Sequence, residues 1–267
     1  MRSEKPLVII MLVIALVTAA VGFSGCVTQQ ANTIIVGTNA FFPPFEFYDE
    51  NHTIVGFDIE LVTKILTDAG YTVEVQNMEF DSLQGALETG TINVIAAAMT
   101  ITEERSEAVD FTMPYFDSNQ SVLINLNNNP NLTIQSAADF VNVTKVGAQR
   151  GTTGEYWIQD NLITPGIINE TQYEPYTLYT NAVTELNAGR LDAVVLDTPV
   201  AKVFDGINGD NISMNIITNE QYGFAVQKGN ATLLAVLNDG LESLMGTDYW
   251  TTLEQKYFEQ EWIITEE

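Results

Sequence analysis

Hydrophobic residues in the first part of the chain follow strand spacing and helix spacing in turn. Short apolar or alternating runs predict strands at 33–38, 71–75 and 92–98, and apolar spacing of three and four residues predicts helices at 58–69 and 81–90. The last of these strands is almost wholly apolar, which is expected where both faces of a parallel sheet are covered. The order of strands and helices therefore predicts an α/β layer.

Polar residues, glycines and prolines mark the boundaries of these elements. Asp58 and Asp81 are of a type that favours helix starts, and Gly70 and Gly90 come where the helical spacing ends. Before the first helix, the segment Phe41–Phe45 contains two consecutive prolines among three phenylalanines. Because proline fixes φ and lacks an N–H donor, we expect an irregular loop that holds aromatic side chains there.

A second unit of the same kind begins after a polar, asparagine-rich break at 127–131. The predicted elements are a helix at 136–140, a strand at 143–149, a loop at 151–154 entering a helix through Trp157, a strand at 191–196 and a helical segment at 239–258. The second unit therefore repeats the α/β character of the first.

One sequence pattern occurs in both units. Leu87–Ile95 and Leu186–Val194 each combine a helix end, a glycine and a buried strand, and polar residues follow at Thr100 and Asp197. The carboxyl ends of strands in α/β sheets face ligand crevices, so two such edges would form one cleft between two lobes. A generic helix–glycine–strand pattern is the alternative explanation.

The N-terminus has the pattern of a secretory signal. Basic residues precede an apolar run at 7–21, which is shorter than the roughly 20 residues that span a membrane. The run ends in Phe-Ser-Gly-Cys, and Cys26 resembles the lipidated cysteine that begins a mature lipoprotein. We therefore expect a signal peptide at 1–25 and a lipid-anchored tether at 26–32. A signal anchor with an incidental cysteine is the alternative.

Charge and cysteine content exclude several classes of function. With 35 acidic and 10 basic residues the formal net charge is −25, which disfavours a nucleic-acid partner. The single cysteine, Cys26, and the single histidine, His52, can form neither an internal disulfide nor a Cys/His zinc site. His52 lies in a polar segment that predicts a solvated turn. We therefore expect no metal and no cofactor.

Three groups of residues occur in a fixed order along the chain. They are Phe42–Phe47 leading into Gly56–Leu61, then Ala97–Arg105 running on to Val109–Tyr115, and finally Gly151–Glu155 with Asp192–Asp197 downstream. Together they resemble the family 3 extracellular solute-binding proteins, the polar amino-acid receptors of ABC importers. The resemblance covers essentially the whole chain after the signal peptide.

The resemblance implies a two-lobed α/β fold of the periplasmic-binding-protein type II, with discontinuous lobes joined by two hinge strands. Lobe 1 would comprise 33–117 plus 222–267, and lobe 2 would comprise 118–221. The two strands would cross near 115–119 and 221–223. Such lobes close on a ligand by hinge motion.

The resemblance also assigns roles in binding an amino acid. The residues expected at the ligand carboxylate are Arg105, Thr153 and Thr100. The groups expected at the ligand ammonium are the side chains of Asp197 and Thr100 and the carbonyl of Ala98. The residues expected at the ligand side chain are Asn39, Phe42, Phe80 and Gln149.

Several of these residues also have a plainer interpretation. Arg105 has the alternative of a helix-surface arginine paired with a neighbouring glutamate, and Thr153 and Asp197 have the alternative of capping helices. Phe80 has the alternative of core packing. A planar guanidinium matches a carboxylate with two hydrogen bonds, and it is the resemblance that favours this binding role for Arg105 over the surface pair.

The expected function is that of a monomeric, lipid-anchored receptor at the cell surface, which binds a free amino acid and delivers it to an ABC permease. Asn39 and Gln149 favour a polar or neutral ligand side chain, whereas the acidic net charge favours a cationic one, so the ligand stays open. One alternative is a lyase or dehydratase on the same fold, for which Glu46 and Glu79 are the nearby acids. The other is the ligand-sensing subunit of a signalling receptor.

Overall fold

The structure is a computed structural model, in which residues 33–259 are described. The expected signal peptide, the lipidation site at Cys26 and the tether lie outside the described residues. The strands are β1 (Thr33–Thr38), β2 (Phe41–Phe42), β3 (Glu46–Tyr48), β4 (Ile54–Val55), β5 (Thr72–Asn77), β6 (Val94–Ile95), β7 (Val109–Phe111), β8 (Phe116–Asn125), β9 (Val146–Gln149), β10 (Tyr173–Tyr176), β11 (Ala193–Asp197), β12 (Asp210–Tyr222) and β13 (Ala225–Gln227). The α-helices are α1 (Phe57–Asp68), α2 (Phe80–Glu88), α3 (Glu103–Ala108), α4 (Thr153–Ile158), α5 (Tyr179–Asn187), α6 (Thr198–Phe204), α7 (Ala231–Leu244) and α8 (Asp248–Phe258). Short 3₁₀ helices cover Ala137–Asn142 and Glu170–Gln172, and a π-helical turn at Gln159–Ile163 continues α4.

The strands form two five-stranded mixed sheets and one small three-stranded sheet. The first sheet has the order β5-β1-β6-β13-β7, in which β1 runs parallel to its neighbours and β13 antiparallel to its own. The second has the order β10-β9-β11-β8-β12, in which β9 runs parallel to both neighbours and β8 antiparallel to both. Helices connect the parallel strands, as parallel pairing requires.

The chain passes between the two large sheets twice. Strand β8 belongs to the second sheet although it follows β7 of the first, and β13 returns to the first sheet between β6 and β7. The crossing strands β8 and β12 pair with each other as far as Phe116 and Tyr222. The first sheet is therefore built from two separate parts of the chain. We call the part of the molecule around each large sheet the first and second lobe.

Aromatic rings pack next to the crossing strands. Phe45 is fully buried, and its ring centroid lies 4.9 Å from that of Phe116 and 5.2 Å from that of Tyr222. Phe57 and Phe258 complete this hinge aromatic cluster, with centroids 6.4 Å and 5.4 Å from Phe45. Edge-to-face pairs of this kind add stability beyond the area they bury.

Helix α1 begins one residue earlier than its sequence signals predict. Gly56 occupies the N-cap position with φ 137°, and a Cβ atom there would lie 2.0 Å from the Phe45 carbonyl oxygen, so only glycine fits. The prediction that Asp58 opens the helix is wrong. Its side chain is buried, and its Oδ2 atom accepts hydrogen bonds from the Ala98 N–H at 2.8 Å and from the Tyr115 hydroxyl at 2.5 Å.

The prediction of an irregular loop at Phe41–Phe45 is correct only for its second half. Phe41 and Phe42 form β2, which pairs antiparallel with β3. The two prolines lie in the turn between these strands, where they interrupt no ladder of hydrogen bonds. The three aromatic residues are therefore held by a short hairpin.

Two other predicted elements differ in length. The apolar run at 92–98 forms a strand only at Val94–Ile95, because the chain then leaves the sheet and Ala98 adopts φ 45°. The C-terminal helical segment consists of two helices rather than one. They are interrupted at Gly246, which has φ 74°, a conformation that a continuous helix cannot contain.

Candidate ligand-binding site

A narrow cleft lies between the two lobes and is lined by residues of both. Nine of its twelve lining residues are the ones that the sequence assigns to the ligand. The lining residues are Asn39, Phe42, Glu46, Phe80, Ala97, Ala98, Thr100, Arg105, Gln149, Thr152, Thr153 and Asp197.

Arg105 projects from the short helix α3 into the cleft. Its side chain is 6% exposed, and its guanidinium lies 5.5 Å from the centroid of the Phe80 ring. The Nη1 group donates to the Thr100 carbonyl oxygen at 2.7 Å, and the Nη2 group donates across the cleft to the Gly151 carbonyl oxygen at 2.9 Å. Burial lowers the pKa of Arg105. Within residues 33–259 no carboxylate lies within ion-pair distance of it.

The loop after β9 brings the second lobe close to Arg105. Gly151 has φ 76°, and a Cβ atom there would lie 3.1 Å from the Cβ of Asp81 in the first lobe. Thr152 caps α4 by accepting a hydrogen bond from the Glu155 N–H. Thr153 therefore does not cap the helix and instead lies at its first position, next to the backbone N–H groups that begin α4.

Asp197 ends the buried strand β11 on the second-lobe side of the cleft. It is 6% exposed and accepts a hydrogen bond from the Tyr222 hydroxyl at 2.6 Å. It stands at the N-cap position of α6, but its side chain makes no capping hydrogen bond. Burial, together with the nearby charge of Glu220, raises the pKa of Asp197 to about 7.

Ala98 lines the cleft, and its backbone conformation is strained. A φ of 45° is rare for a residue with a Cβ atom and costs about 1–3 kcal/mol. Asp58 holds this conformation by accepting the Ala98 N–H, and burial raises the pKa of Asp58 to about 7. Strain maintained by a buried carboxylate at a cleft is typical of a functional site.

Residues 34–260 match the family described as bacterial extracellular solute-binding proteins, family 3. The chain belongs to this family. It is 33% identical over 245 residues to the putative ABC transporter arginine-binding protein 2 of Escherichia coli K12, an alignment that covers 90% of this chain and 96% of the relative. This solute-binding protein has the type II periplasmic-binding-protein fold, with discontinuous lobes joined by two hinge strands.

Solved structures similar to this solute-binding protein include binding proteins and an enzyme precursor. An ancestral arginine-binding protein bound to arginine has a TM-score of 0.78 and 37% identity, and the match covers 85% of this chain and 98% of that one. An ancestral amino-acid-binding protein described as a precursor of cyclohexadienyl dehydratase has a TM-score of 0.75 and 32% identity, covering 85% and 96%.

The residues expected at the ligand side chain also line the cleft. The Gln149 amide donates to Asn39 Oδ1 across the cleft at 2.9 Å, and the Asn39 amide donates to the Met78 carbonyl oxygen at 2.8 Å. The Phe42 ring packs edge-on against Tyr179, with centroids 5.4 Å apart. The two amides thus bond each other and link the lobes.

Glu46 is a buried acid that also lines the cleft of the solute-binding protein. It is 1% exposed, and its Oε2 atom has no hydrogen-bond partner in the part of the chain that the structure describes. Burial, with the charges of Asp58 and Asp197 nearby, raises the pKa of Glu46 well above its usual value. Sequence reasoning treated Glu46 only as a catalytic candidate and did not expect it among the residues around the ligand.

Glu220, on the crossing strand β12, has no assigned role in the sequence-based predictions. It is 8% exposed and accepts hydrogen bonds from the hydroxyls of Thr100 and Thr153. A sequence signal was available, because side chains two apart on a strand share a face, which puts Glu220 on the same side as the buried Tyr222.

No helix among residues 33–259 is long and apolar enough to cross a membrane, and these residues contain no cluster suited to a metal ion.

Proposed function

We propose that this solute-binding protein binds a free amino acid in the cleft and delivers it to an ABC permease. One observation carries the proposal: Arg105 and Asp197 are both buried and line the same cleft, yet no ion pair joins them. A buried charge is costly unless a partner compensates for it. A zwitterion brings one compensating charge for each.

One charged side chain from each lobe binds one end of the zwitterion. The Arg105 guanidinium binds the α-carboxylate, for which its planar donors are suited. The Asp197 carboxylate binds the α-ammonium, with the Thr100 side chain and the Ala98 carbonyl completing that end. Because Arg105 belongs to the first lobe and Asp197 to the second, the ligand favours the closed arrangement by its higher affinity for it.

The acidic lining of the cleft favours a cationic amino acid. Among the described residues that line the cleft, Arg105 is the one basic residue, whereas Glu46 and Asp197 are acidic. Asp58 adds a further carboxylate next to the cleft-lining Ala98. A cationic group beside Glu46 would offset the burial and the repulsion that raise the pKa of this acid. The arginine-binding names of the relatives agree with this ligand class.

Hinge motion between the lobes accompanies binding. The proposed lobes are 33–117 plus 222–267 and 118–221, joined by β8 and β12. Polar contacts between the lobes include hydrogen bonds from Arg105 to Gly151, from Gln149 to Asn39 and from Thr100 to Glu220. Arg150 and Asp81 add an ion pair at 3.6 Å. Separation of the lobes must therefore break polar contacts at the cleft.

The protein acts at the outer face of the cell membrane as a lipid-anchored monomer. The signal-like segment at 1–25 and the Phe-Ser-Gly-Cys sequence ending at Cys26 support this location. Substituting Cys26→Ala should release the protein from the membrane fraction into the medium. Retention of the variant in membranes would show that the apolar segment itself is the anchor.

Calorimetric titration of ligand-stripped protein against the twenty amino acids tests the binding function. Bound ligand is first removed by unfolding in denaturant and refolding. We expect L-arginine to bind, with lysine and histidine weaker and neutral residues weakest. An absence of binding to every amino acid would refute the proposed function.

The role of Glu46 is tested by Glu46→Gln, with Glu50→Gln at an exposed position nearby as the matched control. We expect Glu46→Gln to weaken L-arginine by about tenfold or more while L-glutamine changes little, because a hydrogen bond to a charged group is lost. The control should bind like the native protein. Equal effects of Glu46→Gln on both amino acids would contradict a cationic side-chain site.

A lyase of the dehydratase kind is the second candidate function. Its support is the raised pKa of Glu46, which suits a general acid, together with the likeness to a dehydratase precursor. Incubation with cyclic carboxylic acids, followed by chromatography of the products, distinguishes the two. Turnover that is lost in Glu46→Gln would favour the enzyme.

A further inference from the structure

Glu220 joins the two lobes through hydroxyl groups at the cleft. Its Oε2 atom accepts hydrogen bonds from Thr100 Oγ1 and from Thr153 Oγ1, each at 2.8 Å. The Gln120 amide donates to both carboxylate oxygens, at 3.2 Å and 3.3 Å. Thr100 comes from the first lobe and Thr153 from the second. The same carboxylate therefore fixes one hydroxyl on each side of the cleft.

An irregularity in the backbone of β12 places the Glu220 carboxylate at this position. The pairing of β12 with β8 shifts register between Ile216 and Glu220, and Asn219 adopts φ 53°. Asn119 Oδ1 holds the irregular segment by accepting the N–H groups of Thr218 and Asn219 at 2.9 Å and 3.0 Å. Bulges of this kind redirect a side chain and are frequent beside functional sites.

The hydrogen-bond inventory of a hydroxyl determines what Thr100 and Thr153 can offer to a ligand. Each hydroxyl has one proton and two lone pairs. Both protons are used toward Glu220, and the Gln120 amide donates to one lone pair of Thr153 Oγ1 at 3.2 Å. Each hydroxyl therefore has a lone pair, but no proton, left for a ligand. A lone pair can accept from an ammonium group but cannot donate to a carboxylate.

We propose that Glu220 is a positioning residue that orients the hydroxyls of Thr100 and Thr153 as acceptors for the ligand's α-ammonium. This inference rests on the proposed function. It assigns both hydroxyls to the ammonium end beside Asp197, whereas the sequence-based expectation has Thr153 at the carboxylate and Thr100 at both ends. The carboxylate is then left to Arg105 and to the backbone N–H groups at the start of α4, which are suited to an anion.

The test compares ligands that differ only at the ammonium group. L-arginine and 5-guanidinopentanoic acid, which lacks the α-amino group, are titrated into native protein, Glu220→Gln and Thr153→Val. Agmatine, which keeps the ammonium but lacks the carboxylate, is titrated alongside. Asp117→Asn is the matched control, because Asp117 is an exposed carboxylate on the neighbouring crossing strand that accepts only from Gln221.

We expect Glu220→Gln to weaken the binding of L-arginine and of agmatine by about tenfold or more. An amide nitrogen at this position would donate to the threonine hydroxyl, and the hydroxyl's own proton would then face the ligand's ammonium group. The affinity for 5-guanidinopentanoic acid should change by less than about twofold. Thr153→Val should show the same selectivity, so the test stands even if Glu220→Gln does not fold. Asp117→Asn should leave all three affinities unchanged.

Two results separate failure of this inference from failure of the proposed function. Equal weakening of L-arginine and 5-guanidinopentanoic acid in both variants would overturn the role of Glu220, since a purely structural effect or a bond to the carboxylate affects both ligands. Native protein that binds none of the twenty amino acids would instead overturn the proposed function.

Discussion

The hinge aromatic cluster and the cleft are neighbouring buried regions with opposite chemistry. In the cluster, rings fill the space beside the crossing strands and leave little that is polar. In the cleft, Arg105, Asp197 and Glu46 are almost as deeply buried but lack ion-pair partners. Tyr222 belongs to both regions, because its ring packs in the cluster and its hydroxyl donates to Asp197.

The difference shows which region stabilises the fold and which is kept for a ligand. Burying apolar rings lowers the free energy of the folded state. Burying Asp197 raises it, which is what the raised pKa of this carboxyl group expresses. The two regions can therefore be separated by experiments that measure folding stability and binding on the same variants.

The largest effect on stability should follow a change in the aromatic cluster. Phe45→Ala should lower the free energy of unfolding by about 3–5 kcal/mol, because it leaves a cavity among four rings. The affinity of the folded protein for its ligand should stay close to native. Urea unfolding of ligand-free protein measures the first effect, and calorimetry measures the second.

Phe41→Ala is the matched control for this prediction. Phe41 lies in the same hairpin but is only partly buried, and its ring contacts Tyr48 rather than the cluster. Phe41→Ala should lower the free energy of unfolding by clearly less than Phe45→Ala does. A loss below about 1 kcal/mol for Phe45→Ala would show that the cluster does not dominate stability at the hinge.

A change in the cleft should weaken ligand binding without lowering the stability of the fold. Asp197→Asn should weaken amino-acid binding by about 2–5 kcal/mol, as for truncated charge pairs at interfaces. The ligand-free protein should become more stable above neutral pH, because a neutral amide is less costly to bury than a carboxylate. Asp160→Asn, at an exposed position, should change neither quantity. Weakened folding together with unchanged binding would contradict the assignment of Asp197.

The smallest effect in this comparison is a pH dependence. Asp197, with its pKa at about 7, must lose its proton before it binds an ammonium group, so affinity should fall by about tenfold per pH unit below 7. Arg105, Glu220, Tyr222 and Glu46 are charged or titratable groups that act on Asp197. Calorimetry in buffers of different ionisation enthalpy would detect the released proton. A dependence that persists in Asp197→Asn would belong to Glu46 or Asp58.

The folding stability of the ligand-free protein should also depend on pH. The folded pKa values of Asp58 and Asp197, about 7, lie above the usual value of 3.8, so the folded state binds more protons than the unfolded state. Stability should therefore decrease as pH rises from about 4 to about 7. Saturating ligand should reduce this decrease, because its cation favours the ionised form of Asp197.

Local sequence determined much of the fold. The span of β1 matches its prediction, and the helical spacing from Asp58 onward placed α1 to within a residue. These predictions rest on side-chain periodicity and glycine stops, which act over a few residues. The family was likewise evident from short stretches whose order along the chain is fixed.

Only the tertiary structure decided how the buried acids are used. The sequence predicts Asp58 as a helix start, yet in the structure its carboxylate holds the strained backbone of Ala98. In the sequence, Glu220 is one polar residue of a strand. Only the structure shows that Thr100 and Thr153 donate hydrogen bonds to it. These contacts join residues 40, 67 and 120 positions apart. Local patterns report backbone preference and burial, whereas the choice of hydrogen-bond partner depends on which distant segments the folded chain brings together.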